Sequence, residues 1–138
     1  IKEKKYFHDT LKKMCNSHNK SYYLKYKKWC DKYFYLPHRK ESRGIGGIFF
    51  DYLHSDNWSR DFEFVQAVGQ FFHNYSINTI IKLKEKTWSK DEKNIQLLKR
   101  GRYAEFNLLH DRGTRFGLET GGNIDAVLMS MPPLAKWD

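Results

Sequence analysis

Cysteines and long apolar runs are scarce in this sequence, and each scarcity excludes something. The 138 residues hold two cysteines, Cys15 and Cys30. Two are too few for a disulfide framework, or for an iron–sulfur cluster, which takes three or four closely spaced thiolates. Set in a lysine-rich stretch and beside Trp29, they are expected as small buried residues in a reducing compartment. No apolar run approaches the length that spans a bilayer, and no signal peptide is visible; the expectation is a cytoplasmic chain without stable membrane insertion. The P-loop, the dinucleotide fingerprint, His-Glu-x-x-His and the nucleophile elbow are all missing. Gly44-Ile45-Gly46-Gly47 has neither the spacing nor the lysine of a phosphate loop. The chain opens on Ile1 rather than Met, so it is expected as the interior of a longer polypeptide.

Acidic residues are outnumbered, 16 against 25 basic ones, which leaves a net charge of +9. That excess implies an anionic partner: nucleic acid, an acidic membrane surface or a polyanionic small molecule. The two basic residue types are segregated. The first 38 residues contain Lys but no Arg, while Arg39, Arg43, Arg100, Arg102, Arg112 and Arg115 fall in glycine-containing stretches. Solubilising charge and recognition charge are thus separate populations. Aromatic residues make up 17% of the chain, which suits a Phe- and Tyr-rich core or a large flat ligand.

The length predicts one domain with a real core. Apolar spacing predicts a helix over 2–17, with His8 beside its apolar stripe, and a second over 22–33. Residues 33–36 read as a short strand that Pro37 ends. Gly44 to Leu53 reads as a buried strand whose glycines admit a close neighbour. Alternation places Asp51 on a face with Ile45, Gly47 and Phe49, a setting that would shift its pKa up by desolvation or down beside an arginine. Helices are expected over 60–74 and 78–86. Ser89-Lys90-Asp91-Glu92 is a capping box opening another helix, which stops at Gly101. Tyr103 to Leu109 and a stretch starting near Phe116 read as two strands joined at Gly113. Gly121-Gly122 reads as a turn, and residues 123–131 as a last strand. The pattern is α+β with a largely antiparallel sheet.

Arginines 100, 102, 112 and 115 would then sit at both ends of one hairpin. Their planar forks suit an anion with several separated carboxylates or phosphates, although a solvated basic hairpin has the same composition. Two function classes follow: an enzyme acting on an aromatic polyacid, or a basic nucleic-acid-binding module without catalysis. The clustering of arginine at turns that converge on one pocket favours the enzyme.

Specific motifs narrow this further. Tyr26-Lys27-Lys28-Trp29-Cys30-Asp31, Pro37-His38-Arg39, and Arg43-Gly44-Ile45-Gly46-Gly47-Ile48-Phe49-Phe50-Asp51 come first. Arg100-Gly101-Arg102-Tyr103, Glu105-Phe106-Asn107-Leu108, Asp111-Arg112-Gly113-Thr114 and Phe116-Gly117-Leu118 follow, then Gly121-Gly122, Leu128-Met129-Ser130-Met131-Pro132-Pro133 and Trp137. In this order the set resembles the oxygen-dependent coproporphyrinogen-III oxidase family over nearly the whole chain.

The resemblance implies oxidative decarboxylation of two propionates of coproporphyrinogen III to vinyls, giving protoporphyrinogen IX in haem biosynthesis. Dioxygen is the co-substrate and no organic cofactor is used. The implied fold is a flat antiparallel sheet covered by helices on both faces, of which residues 1–138 would be one partial domain. Its N-terminal part and C-terminal tail would be missing. A homodimer through residues 103–138 and no nucleic-acid partner are implied as well. Asp51 takes a catalytic role at a pyrrole N–H. Arg39, Arg43, Arg102 and Arg112 hold substrate propionates, although Arg102, Arg112 and Arg115 also lie where a subunit contact is expected. Gly121, Gly122 and Asn123 match a substrate-contacting turn, in which many members carry Arg at the third position. His8 and His38 match histidines assigned in bacterial members to a divalent, manganese-type metal, the other two such histidines lying upstream. His110 stands where members usually carry Tyr or Trp.

Overall fold

Leu11 and Cys15 lie one turn apart on the first helix, α1 (Lys2–His18), and both are buried. The computed structural model describes residues 2–138. They fall into two compact units, Ile1–Tyr33 with Ile45–Thr87, and Phe34–Gly44 with Trp88–Asp138.

The first unit is three helices and one extended segment. The break after α1 is set by Asn19, whose Oδ1 accepts from the Ser21 N–H at 2.9 Å, a local turn that competes with helix. Helix α2 (Tyr22–Tyr33) then buries Tyr23, Tyr26 and Cys30 along one face. Helix α3 (Trp58–Leu83) is capped by Asn57, which accepts from the Arg60 N–H at 3.0 Å. Leu11, Cys15, Tyr23, Tyr26 and Phe64 form the core, flanked by Ile48, Phe50 and Val68. Phe64 has no exposed surface, and the Tyr22 and Phe50 rings lie 4.7 and 5.3 Å from it. Burial pushes the Cys15 thiol up to about 11, so it is an inert core residue.

The second unit holds the regular sheet found among the described residues. Strands β1 (Tyr35–Leu36) and β2 (Glu41–Ser42) pair antiparallel, Tyr35 opposite Ser42 and Leu36 opposite Glu41. Helix α4 (Lys90–Leu109) opens with a reciprocal Ser89–Glu92 capping box. Helix α5 (Arg112–Glu119) is capped by Asp111, and α6 (Ile124–Leu128) by Asn123. Between them the chain reverses at Gly121, at φ +72°, with the Gly122 N–H donating to the Gly117 carbonyl at 2.9 Å. That bond and the left-handed glycine are the signature of a Schellman helix stop.

The molecule is therefore mostly helical with a small antiparallel sheet, which is compatible with α+β but differs from the sequence expectation in five places. The hairpin expected over 103–118 is the end of α4 and all of α5. Gly101 does not stop α4. It is a glycine because a Cβ there would run into the Lys136 carbonyl oxygen, and the Lys136 N–H donates to the Leu97 carbonyl at 3.1 Å. The last expected strand, 123–131, contains α6. Residues 46–50 have no ladder partner among the described residues, Gly46 standing at φ +81°, and the Phe49 N–H donates to the Tyr26 carbonyl at 3.2 Å. The two helices expected over 60–74 and 78–86 are one, because the intervening Asn74, Ser76 and Asn78 include neither glycine nor proline.

Candidate functional site

The first unit presents Asp51 at the end of the glycine-containing segment. Ile48 and Phe50 turn into the core, while Phe49 lies against Tyr33 with ring centres 4.7 Å apart. Asp51 follows on the Phe49 side and is exposed, not buried among apolar neighbours as its strand face had suggested. The Trp29 indole N–H donates to Asp51 Oδ2 at 3.3 Å. Beside it is a hollow of about 250 Å³ lined by polar groups that include Asn19, Lys25, Asp51 and His54. That is below the roughly 300–1,000 Å³ of a small-molecule site, so this hollow does not by itself enclose a tetrapyrrole.

The other end of the segment is pinned. His8 Nε2 lies 2.8 Å from the Ile45 carbonyl oxygen, and the Tyr23 hydroxyl 3.1 Å from His8 Nδ1. A carbonyl only accepts, so Nε2 carries the proton and Nδ1 of the neutral ring accepts from Tyr23. Burial raises the pKa of the Tyr23 hydroxyl, which keeps it a donor. Gly46 follows at φ +81°, where a Cβ would stand 3.0 Å from Asp31 Oδ1. Gly46→Ala is therefore expected to cost about 1–2 kcal/mol, read as a lowered urea midpoint.

The second unit gathers charge differently from the sequence expectation. Arg39 forks onto Glu105, Nη2 to Oε1 at 2.6 Å and Nε to Oε2 at 3.1 Å. His38 Nε2 donates to the same Oε2 at 2.8 Å. Arg102, whose side chain is only 8% exposed, bonds Glu41 through Nε and Asp138 through Nη2 at 2.7 Å. Lys99 joins Glu41 at 2.9 Å. The Arg39 fork, with His38 and Arg102 adding to it, pulls the Glu105 carboxyl down to about 2. Lys99 and Arg102 lower Glu41, and Arg102 lowers Asp138. Arg39 and Arg102 are thus paired with carboxylates of their own unit. Arg43 lies over the rings of Phe34, Tyr103 and Phe106, at 4.3, 4.8 and 5.2 Å, and donates to Asn107 Oδ1 at 3.4 Å. Arg112, in the first turn of α5, is exposed.

The expected metal ligands do not fit a metal as they stand. Both nitrogens of His8 are engaged, and His38 gives Nε2 to Glu105 while its Nδ1 lies 3.4 Å from His110 Nε2. Among the described residues no group of three or more His, Cys, Asp or Glu side chains is placed to hold a metal ion. Gly121, Gly122 and Asn123 close α5 and open α6. Asn123 Oδ1 accepts from the Ala126 N–H at 3.2 Å, and a Cβ on Gly122 would stand 2.7 Å from the Gly117 carbonyl oxygen.

The family model described as coproporphyrinogen III oxidase matches residues 2–138. The chain belongs to the coproporphyrinogen III oxidase family. It is 51% identical over 131 residues to the oxygen-dependent coproporphyrinogen-III oxidase of Rickettsia bellii (strain OSU 85-389), covering 95% of this chain and 47% of that protein. Over 132 residues it is 50% identical to the proteins of the same name from Rickettsia rickettsii (strain Sheila Smith) and Rickettsia africae (strain ESF-5), covering 96% of this chain and 47% of each. The chain thus spans about half the length of these curated relatives. Within this coproporphyrinogen oxidase segment, sequence reasoning passed over Trp29, Tyr23, Glu41, Glu105 and Asp138 as partners of the expected site residues. Glu105 was findable: it stands three residues after Arg102, neighbours on a helix but opposed in direction on a strand.

Proposed function

We propose that the protein carrying this chain performs the oxygen-dependent oxidative decarboxylation of coproporphyrinogen III to protoporphyrinogen IX. The observation that carries it is the match to the family across residues 2–138, at about half identity to relatives of that name. Each of two propionates loses carbon dioxide and two electrons to become a vinyl, and dioxygen is the acceptor. Asp51 accepts a hydrogen bond or a proton from a pyrrole N–H, which lets dioxygen attack the ring carbon. The resulting ring-bound peroxide takes a proton from the propionate arm and, with a second proton, departs as hydrogen peroxide, which breaks the ring carbon–oxygen bond; loss of carbon dioxide then leaves its electron pair as the vinyl double bond. Arg43, which lies over the rings of Phe34, Tyr103 and Phe106, and the exposed Arg112 serve as propionate contacts, while Arg39 and Arg102 hold the second unit together.

Residues 1–138 belong to one catalytic domain, and in the complete protein 46–50 becomes a strand of a flat antiparallel sheet covered by helices on both faces. The alternation of Ile48 and Phe50 against Phe49 supports this. The homodimer forms through 103–138, where Leu109, Phe116, Ile124 and Met129 are 55%, 68%, 61% and 84% exposed. A cytoplasmic location fits helices none of which, among the described residues, is long and apolar enough to cross a membrane. No observation favours the nucleic-acid-binding alternative.

The test is turnover by the full-length protein with coproporphyrinogen III, in air, under argon, and in air with a chelator. Vinyl product in air alone is the expected result. No product in air from a folded full-length protein overturns the proposal, and the chelator arm reports whether metal takes part.

A further inference from the structure

We infer that His8 is a positioning residue rather than a metal ligand: it clasps the Ile45 carbonyl and so fixes the start of the segment that delivers Asp51. This rests on the proposed role of Asp51 and adds a residue that acts through it.

Residues 46–50 have no strand partner among the described residues, so hydrogen bonds from the helices hold them. Bonds from α1 and α2 run along the segment. His8 of α1 holds the carbonyl of Ile45, the Tyr26 carbonyl of α2 holds the Phe49 N–H, and the Trp29 indole of α2 holds Asp51 Oδ2. The first is the one made by a side chain that is itself held in place. Tyr23, only 7% exposed, lies 3.1 Å from His8 Nδ1, which fixes the ring and leaves Nε2–H aimed at Ile45. Gly46 turns immediately afterwards at φ +81°, a conformation that leaves the chain free to swing unless its entry is tied. A cation at Nε2 would have to break the Ile45 bond, and one at Nδ1 would have to displace the buried Tyr23 hydroxyl. Either would leave a polar group unpaired.

Four variants of the full-length protein separate the roles: His8→Gln, His8→Asn, His8→Ala and Tyr23→Phe. Gln carries an amide N–H to the place of Nε2, whereas Asn reaches only the place of Nδ1. Three quantities are read: amide hydrogen exchange of residues 45–51, kcat and KM with coproporphyrinogen III, and manganese retained after dialysis. His8→Ala and His8→Asn are expected to speed exchange of the segment and lower kcat by about tenfold, the worth of one ordinary hydrogen bond. KM should stay within about twofold, because positioning acts on the chemical step. His8→Gln should remain within about threefold of wild type in exchange and kcat, and Tyr23→Phe should fall between Gln and Ala. Retained manganese should be the same in all.

Wild-type exchange in His8→Ala overturns the clasp. So does a stoichiometric loss of manganese in His8→Ala and His8→Gln alike, which would make the ring a ligand. If wild-type protein fails to turn over coproporphyrinogen III, the proposed reaction fails, while the exchange measurement still decides for or against the clasp.

Discussion

Asp51→Asn in the full-length protein is expected to lower kcat for coproporphyrinogen III by about 10²–10⁴-fold, the usual worth of a positioned proton acceptor. KM is expected to stay within about threefold, since the four propionates rather than one pyrrole N–H supply most of the binding. Asn keeps the volume, and its Oδ1 still accepts from the Trp29 indole, so the segment stays where the wild type holds it. What it loses is the negative charge and the capacity to take a proton. The measurement is steady-state turnover with products separated by chromatography. Normal kcat in Asp51→Asn excludes the role outright, and a rise in KM at constant kcat would make Asp51 a binding group instead. The exposure of Asp51 matters here. An open carboxylate is reachable by substrate, and the water-excluded setting has to come from the ligand and from the rest of the protein.

The second large effect is on stability. Glu105→Gln is expected to destabilise the protein by about 2 kcal/mol, because it removes the charge that Arg39 forks onto and His38 donates to, leaving Arg39 with Asp138 alone. Glu105 is only 11% exposed, so water does not replace it. The pH dependence has a definite sign. The folded carboxyl sits at about 2 against its ordinary 4.5. The stability it provides is complete above about pH 4.5 and is lost as the pH falls toward 2. Glu41 and Asp138 are shifted the same way and titrate in both proteins. The gap between wild type and Glu105→Gln should therefore be full near pH 7 and shrink toward about pH 3, read from urea midpoints of the full-length protein. A gap independent of pH would mean that packing, not charge, is what Glu105 contributes.

Local signals in the sequence were read correctly where a short-range interaction decides. Helices α1 and α2, the Ser89–Glu92 capping box, the burial of both cysteines and the turn at Gly121-Gly122 are all as expected. They failed where a residue serves a distant neighbour. Gly101 looks like a helix stop but leaves room for the Lys136 backbone, so α4 continues through it and carries Tyr103 to Leu109 as helix. The alternation in 103–109 therefore lies on a helix, and the arginines of this stretch stand on α4 and α5 and not on a hairpin. Arg39 and Arg102 were expected to face a ligand because carboxylates remote in sequence, Glu105, Glu41 and Asp138, leave no local trace. The motifs named the family because they span the chain in order, and that does not depend on the strand assignments.

The helix caps of the second unit also bear on how mutational screens of this family are interpreted. Asp111 and Asn123 each accept a backbone N–H at the start of a helix, and Gly122 lies against the Gly117 carbonyl. Substituting any of them lowers the amount of folded protein. In a growth-based screen such positions would score together with Asp51, and purified protein compared at equal folded concentration would separate a loss of folded protein from a loss of rate.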